Sequence, residues 1–148
     1  MAGQKEIRLV LENEVIEFAA ANGIAQSKVI REFVGSSALP TTKHIRCEVT
    51  PLPTQDPSIG NYHRRFVGNF RVQYFEPMIG QGCKPLETMA DKIADWFKRG
   101  TNFPHPTNSS VVVAFEYTPS ISQVMQENNL IFITVDCTYR CDIITTPN

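Results

Sequence analysis

From Ile131 to Ile143 the chain places an apolar side chain at every odd position: Ile131, Ile133, Val135, Cys137, Tyr139, Cys141 and Ile143. Thr134, Asp136, Thr138, Arg140 and Asp142 stand between them. Seven consecutive alternations have a period of two, which no helix produces, so this segment is a long strand with one dry and one wet face. A chain carrying it must be built around a sheet. A second long run, over residues 62–75, sends Phe66, Phe70, Val72 and Tyr74 one way and Val67, Asn69, Arg71 and Gln73 the other. It is long enough to project as a hairpin arm. Gly68 inside it signals either a bulge or a close backbone approach. Residues 44–50 alternate Ile45, Cys47 and Val49 against Arg46, Glu48 and Thr50. Residues 111–117 are apolar on both faces for most of their length, as a central strand would be.

Two segments carry the helical period instead. Over residues 5–21, Ile7, Leu11, Val15, Phe18 and Ala19 share one stripe, and Asn22-Gly23 forms a natural stop. Leu9 and Ile16 point away from that stripe, either as ordinary surface aliphatics or as a second contact face. Leu86, Met89, Ala90, Ile93, Ala94, Trp96 and Phe97 line one side of a second helix, with Glu87, Asp91, Asp95 and Lys98 opposite. Pro85 suits its first helical position, where a missing N–H costs nothing. Short helical turns are expected within residues 27–34 and 121–125. Residues 51–61 form a loop whose prolines bar regular pairing, residues 101–110 are irregular, and the tail 145–148 is frayed. The order is therefore α-β-β-α-β-β. The expected fold is α+β and two-layered, with a mainly antiparallel four-stranded sheet and two main helices on one face. Residues 1–148 make a single domain.

Bulk properties narrow the function. The apolar and charged fractions, 42% and 20%, are those of a globular protein. No apolar run nears the roughly 20 residues that span a bilayer, so no membrane role is expected. The N-terminus lacks the features of a secretory signal, so residence in a cytoplasm is the default. A net charge of −1 argues against nucleic-acid binding. The one basic cluster, Tyr62-His63-Arg64-Arg65-Phe66, reads as a solvated strand entry. Of the four cysteines, Cys47, Cys137 and Cys141 read as buried small apolar side chains. Cys137 and Cys141 lie about 13 Å apart along one strand, too far to share a metal. Neither a metal nor a cofactor is expected.

The turn Gly80-Gln81-Gly82 between a strand and a helix has the outline of a phosphate-binding unit without its chemistry. A dinucleotide fingerprint needs glycine where this chain has Pro85, and a P-loop needs Gly-Lys-Ser/Thr where it has Gly82-Cys83-Lys84. The turn is architecture. Asp136 and Asp142 share a wet face but lie about 20 Å apart along the strand, beyond the reach of paired-carboxylate chemistry. No catalytic residue is assigned.

Three features together carry a resemblance: the strand Phe66-Val67-Gly68-Asn69-Phe70-Arg71-Val72-Gln73-Tyr74, the turn Pro77-Met78-Ile79-Gly80-Gln81-Gly82, and the helix from Leu86 to Phe97. The chain resembles the small tail-terminator (minor tail) proteins of long-tailed bacteriophages and related uncharacterised prophage domains. The likeness is sharpest over residues 62–103. It implies a non-enzymatic structural protein of the virion tail, made in the host bacterial cytoplasm. It further implies a homo-oligomeric ring, typically a hexamer, that caps the tail tube protein and later joins the head-tail connector. The proline-rich 51–61 loop has no clear counterpart in that family.

The residues singled out as an interface are Leu9, Ile16, Arg64, Arg65, Trp96 and Phe103. Two other functions stay open on the residues alone. One is a small-ligand or peptide-binding module using the sheet face. The other is an enzyme using Cys83 at a helix N-terminus, where a thiolate is stabilised.

Overall fold

The computed structural model describes residues 2–32, 40–57, 62–78, 80 and 82–144. In chain order its elements are α1 (Gln4–Ala21), a 3-10 turn (Gln26–Lys28), β1 (Val29–Arg31), β2 (His44–Pro51), β3 (His63–Pro77) and α2 (Lys84–Trp96). Then follow β4 (Asn102–Pro104), β5 (Val112–Phe115), β6 (Ser120–Ile121), β7 (Met125–Glu127) and β8 (Leu130–Ile144).

The two longest alternating runs pair with each other. β3 and β8 are antiparallel without interruption from His63↔Ile144 to Pro77↔Leu130, a ribbon of about 50 Å at ~3.3 Å per residue. β2 flanks β3 from His44↔Phe75 to Pro51↔Gly68. The register sets Ile45 beside Tyr74, Cys47 beside Val72 and Val49 beside Phe70, and Phe70 beside Cys137 and Val72 beside Val135. All of these are buried. This face forms one core with Ile7, Leu11, Val15 and Phe18 of α1 and Leu86, Ala90 and Ile93 of α2. Phe97, just past α2, meets the rings of Phe70, Phe103 and Phe115 edge-on at 5.4–5.6 Å. Burying a side chain such as Leu86, Ile93 or Phe97 contributes on the order of 1.5–3 kcal/mol each.

The four-stranded, mainly antiparallel two-layer sheet expected from the sequence is not what forms. The sheet is mixed and curled into a half-barrel of eight strands, in the order β1-β2-β3-β8-β5-β4, with β6 and β7 also on β8. β1 runs parallel to β2, Val29 opposite Ile45. The added strands have two or three residues each, too few to display a period. They exist because neighbouring strands supply partners for their backbone groups. The helical turn expected over residues 27–34 is thus a 3-10 turn followed by β1, and its later part falls outside the described residues. Around residues 121–125 no helical turn forms. The segment returns twice to β8, as Ile121↔Val135 and Met125↔Phe132. β5 is not apolar-buried on both sides, since Val112 is exposed. The tail 145–148, expected to fray, and part of the 51–61 loop also fall outside the described residues.

Gly68 marks a close approach, because the ribbon runs through it without a bulge. A Cβ there would lie 2.5 Å from the Tyr139 hydroxyl and 2.6 Å from the Thr50 carbonyl oxygen. Tyr139, its cross-strand partner, is fully buried and accepts a 3.1 Å hydrogen bond from Gln4 on α1. Gly68→Ala is therefore expected to destabilise the protein by about 1–3 kcal/mol, the cost of overpacking. Removing the hydroxyl with Tyr139→Phe should restore only part of that loss, because the Thr50 carbonyl remains. Urea unfolding of the two single variants and the double variant tests this coupling.

Candidate functional site

The side of the sheet turned away from both helices carries an ordered set of polar side chains. β2, β3 and β8 place Arg46, Gln73 and Thr134 on one rung, Glu48, Arg71 and Asp136 on the next, and Thr50, Asn69 and Thr138 on the third. Period two in all three strands puts these residues on the same face. Arg71 Nε donates to Asp136 at 3.0 Å and its Nη1 to Glu48 at 3.3 Å. Asn69 donates to the same Asp136 oxygen at 3.0 Å, and Gln73 to Thr134 at 3.2 Å.

Asp142 is the hub of a second cluster, nearer the C-terminal end of β8. Arg140 Nε donates to one of its oxygens at 2.7 Å, and Arg65 Nε to the other at 2.9 Å. His63 Nε2 lies 2.6 Å from the oxygen that Arg65 uses. Arg140 also pairs with Glu116 at 3.1 Å. Partial burial pushes the Asp142 carboxyl up, but the hydrogen bonds from Arg140, Arg65 and His63 outweigh it and hold its pKa at about 2.

At the opposite end of the same face, His44, Phe75 and Phe132 stand side by side on β2, β3 and β8. Their rings stack at 4.6 and 4.8 Å, with the Arg46 guanidinium 4.0 Å above the Phe75 ring. Arg46 Nε donates to His44 Nε2 at 3.3 Å, so the imidazole proton sits on Nδ1, which donates to the Thr42 carbonyl at 2.7 Å. Arg46 is held from its other side by Glu127 of β7 at 3.0 Å. Burial pushes the His44 pKa down, the hydrogen bond to the Thr42 carbonyl opposes it, Arg46 and Lys28 add to the lowering, and Glu127 opposes it slightly.

Of the residues the sequence singled out, Arg64 and Arg65 stand together at the start of β3. Arg64 is exposed and Arg65 is held by Asp142. Leu9 is exposed on α1, 43% of it open to solvent, beside a groove walled by Lys5, Arg8, Glu12 and His105. Ile16, Trp96 and Phe103 are partly buried and packed against the core. Trp96 Nε1 donates to Glu14 at 3.0 Å, and its ring meets Phe18 edge-on at 5.6 Å. Cys47, Cys137 and Cys141 are buried, and burial raises the first two thiols to about 12 and the third to about 11. They are inert packing groups. Cys83 is exposed at the N-cap of α2, in a groove whose other walls come from Glu87, Asp91 and residues 121–124. Among the described residues no three His, Cys, Asp or Glu side chains are grouped to hold a metal ion, and no helix is long and apolar enough to cross a membrane.

Sequence reasoning missed the exposed apolar residues Ile144, Ile121 and Met125. Ile144 carries a faint signal, since it breaks the alternation of β8 by following Ile143. The other two lie in a connection whose strands are too short to be read.

The model of the phage tail terminator protein family matches residues 6–139. The chain belongs to that family. No curated protein matches it. One solved structure, 19% identical and aligned over 100% of both chains, superposes with a TM-score of 0.72, a likeness that shows the shared fold. The family is a structural one, and its members are components of the phage tail. The resemblance carried by residues 62–103 thus extends over nearly the whole chain.

The two titrating clusters give the family member a stepped acid response. His44 is neutral when folded and its pKa is depressed, so the unfolded chain takes up that proton first, below about pH 6.5. Stability from His44 is full above that pH and declines below it. Asp142 is also depressed, so its contribution is full above about pH 4 and is lost as the pH falls toward about 2. Urea midpoints measured from about pH 8 to about pH 2 should show both steps. His44→Phe is expected to remove the upper step and Asp142→Asn to diminish the lower one.

Proposed function

We propose that this protein is a tail terminator that self-associates into a ring, caps the tail tube and joins it to the head-tail connector. Membership of the family over residues 6–139 carries the reading. A ring of six subunits is what the family resemblance implies. The architecture is compatible with such work. The sheet is stiffened on its solvent side by the Arg71–Asp136–Glu48 and Asp142-centred pairs, while exposed apolar side chains lie on α1 (Leu9), on the short strands β6 and β7 (Ile121, Met125) and at strand ends (Val112, Ile144). Surfaces of this kind recognise other surfaces. The protein would act in the host bacterial cytoplasm during assembly and remain in the finished tail.

The reading is tested by adding purified protein to isolated tail tubes and imaging them by negative-stain electron microscopy, with native mass spectrometry of the released cap. A ring-shaped density at one tube end, with a mass several times that of the chain, is expected. Tubes that stay bare at both ends, with the protein monomeric throughout, would overturn it.

A further inference from the structure

The β3–β8 ribbon outruns its neighbours. Among the described residues, the last pairing to it on one side is the bridge Gln55↔Arg65, and on the other it is Ala114↔Arg140. The pairs Arg64↔Ile143 and His63↔Ile144 lie beyond both. This tip exposes Arg64, which forms no ion pair among the described residues, and Ile144, 68% of which is open to solvent. Among the described residues this end of the ribbon exposes basic and apolar groups.

At the other end of the molecule lies a groove of matching character. α2 forms one wall with Glu87 and Asp91, Ile121 and Val124 supply apolar surface from β6 and the following loop, and the buried Ile133 of β8 lies at the base. Glu87 and Asp91 are exposed and form no ion pair among the described residues, and Ile121 is 42% open to solvent. Ile133 and Ile143 are ten residues apart on one strand, about 33 Å at ~3.3 Å per residue. A subunit therefore cannot fill its own groove with its own tip.

We infer that the ribbon tip of one subunit docks into the α2–β6 groove of a second copy, Arg64 facing Glu87 and Asp91 while Ile144 covers Ile121. The inference rests on the self-associating role proposed above and names the surfaces that carry it. The contact joins two different patches, so it is heterologous: each subunit gives a tip and receives one, and repetition closes a ring if the rotation allows. Opposite charges at the rim steer the encounter, and the apolar residues beneath them lose their water on contact.

Charge exchange tests the pairing. Arg64→Glu reverses the tip, and the double variant Glu87→Lys with Asp91→Lys reverses the groove. All three positions are exposed, and circular dichroism melts establish that each variant is folded. Native mass spectrometry with and without tail tubes reads assembly. Each variant alone is expected to lose the closed oligomer. Their equal mixture should regain it, because reversed tips then meet reversed grooves while native tips meet native ones. If the closed oligomer forms as before with either variant alone, or if the mixture stays dissociated, the docking is overturned while the self-associating role stands. If the unaltered protein forms no assembly with or without tubes, that role fails and the docking fails with it.

Discussion

The register between β3 and β8 is the constraint on which the rest of the molecule depends. Side chains alternate strictly along both strands, so a slip of one residue would turn Asp136 and Asp142 toward the helices and expose Val135 and Tyr139. Three contacts hold the register at intervals along the ribbon. Tyr139 lies across Gly68, where a Cβ would collide with it. Arg71 reaches Asp136, and Arg65 reaches Asp142. A slip of two residues keeps the faces but breaks all three, because the tyrosine would then meet Phe66 or Phe70 in place of glycine. β2 reads its position from β3, while β5, β6 and β7 read theirs from β8. One correct pairing thus fixes where the six other strand pairings and both helices can sit.

This explains which parts of the fold were legible beforehand. β2, β3, β8 and both helices announce themselves because each is long enough to show its own period. Gly23 follows the end of α1 with a positive φ, and Pro85 stands in the first turn of α2, which begins one residue before it at Lys84. β1, β4, β6 and β7 carry no such signal. Val29, Ile30 and Arg31 are a strand because Ile45, Arg46 and Cys47 lie alongside, and Ser120 and Ile121 are one because Asp136 and Val135 do. Tertiary contact selected these conformations, overriding at Val29 and Ile30 the local helical spacing. The curl of the sheet was hidden for the same reason, since it accumulates over strands that could not be counted. Arg64 and Arg65 stood out as a basic pair, but nothing local told which of them Asp142 would hold.

Stability and surface function are divided between the two sides of the sheet. The core side draws on burial of a dozen large side chains, among them Tyr74, Phe70 and Phe115. The polar side adds little by comparison, because exposed ion pairs contribute roughly 0–1 kcal/mol each. Its effect is to hold long side chains in one arrangement. Arg71, Arg65 and Arg140 are each tied to a carboxylate, and Asn69 and Gln73 are tied to neighbours. Polar groups that already satisfy one another offer a free ligand little beyond what water offers, which argues against the sheet face as a small-molecule site. Arg64, Glu87 and Asp91 lie outside this mutual arrangement.

That asymmetry bears on what a tail terminator has to do. In the role proposed above, seated between a tube and a connector, the protein would meet two different partners, and its assembly would need two different faces. Dimers built by a twofold contact present the same surfaces in both directions. A ring built head to tail has every subunit pointing the same way round, and its upper and lower faces then differ without any further device. Placing the tip and the groove some tens of ångströms apart along one ribbon would make the proposed contact directional, because the long ribbon would transmit the orientation of one subunit to the next. The same strand that organises the core would in this way set the angle between subunits, and the curl of the sheet would decide whether that angle closes.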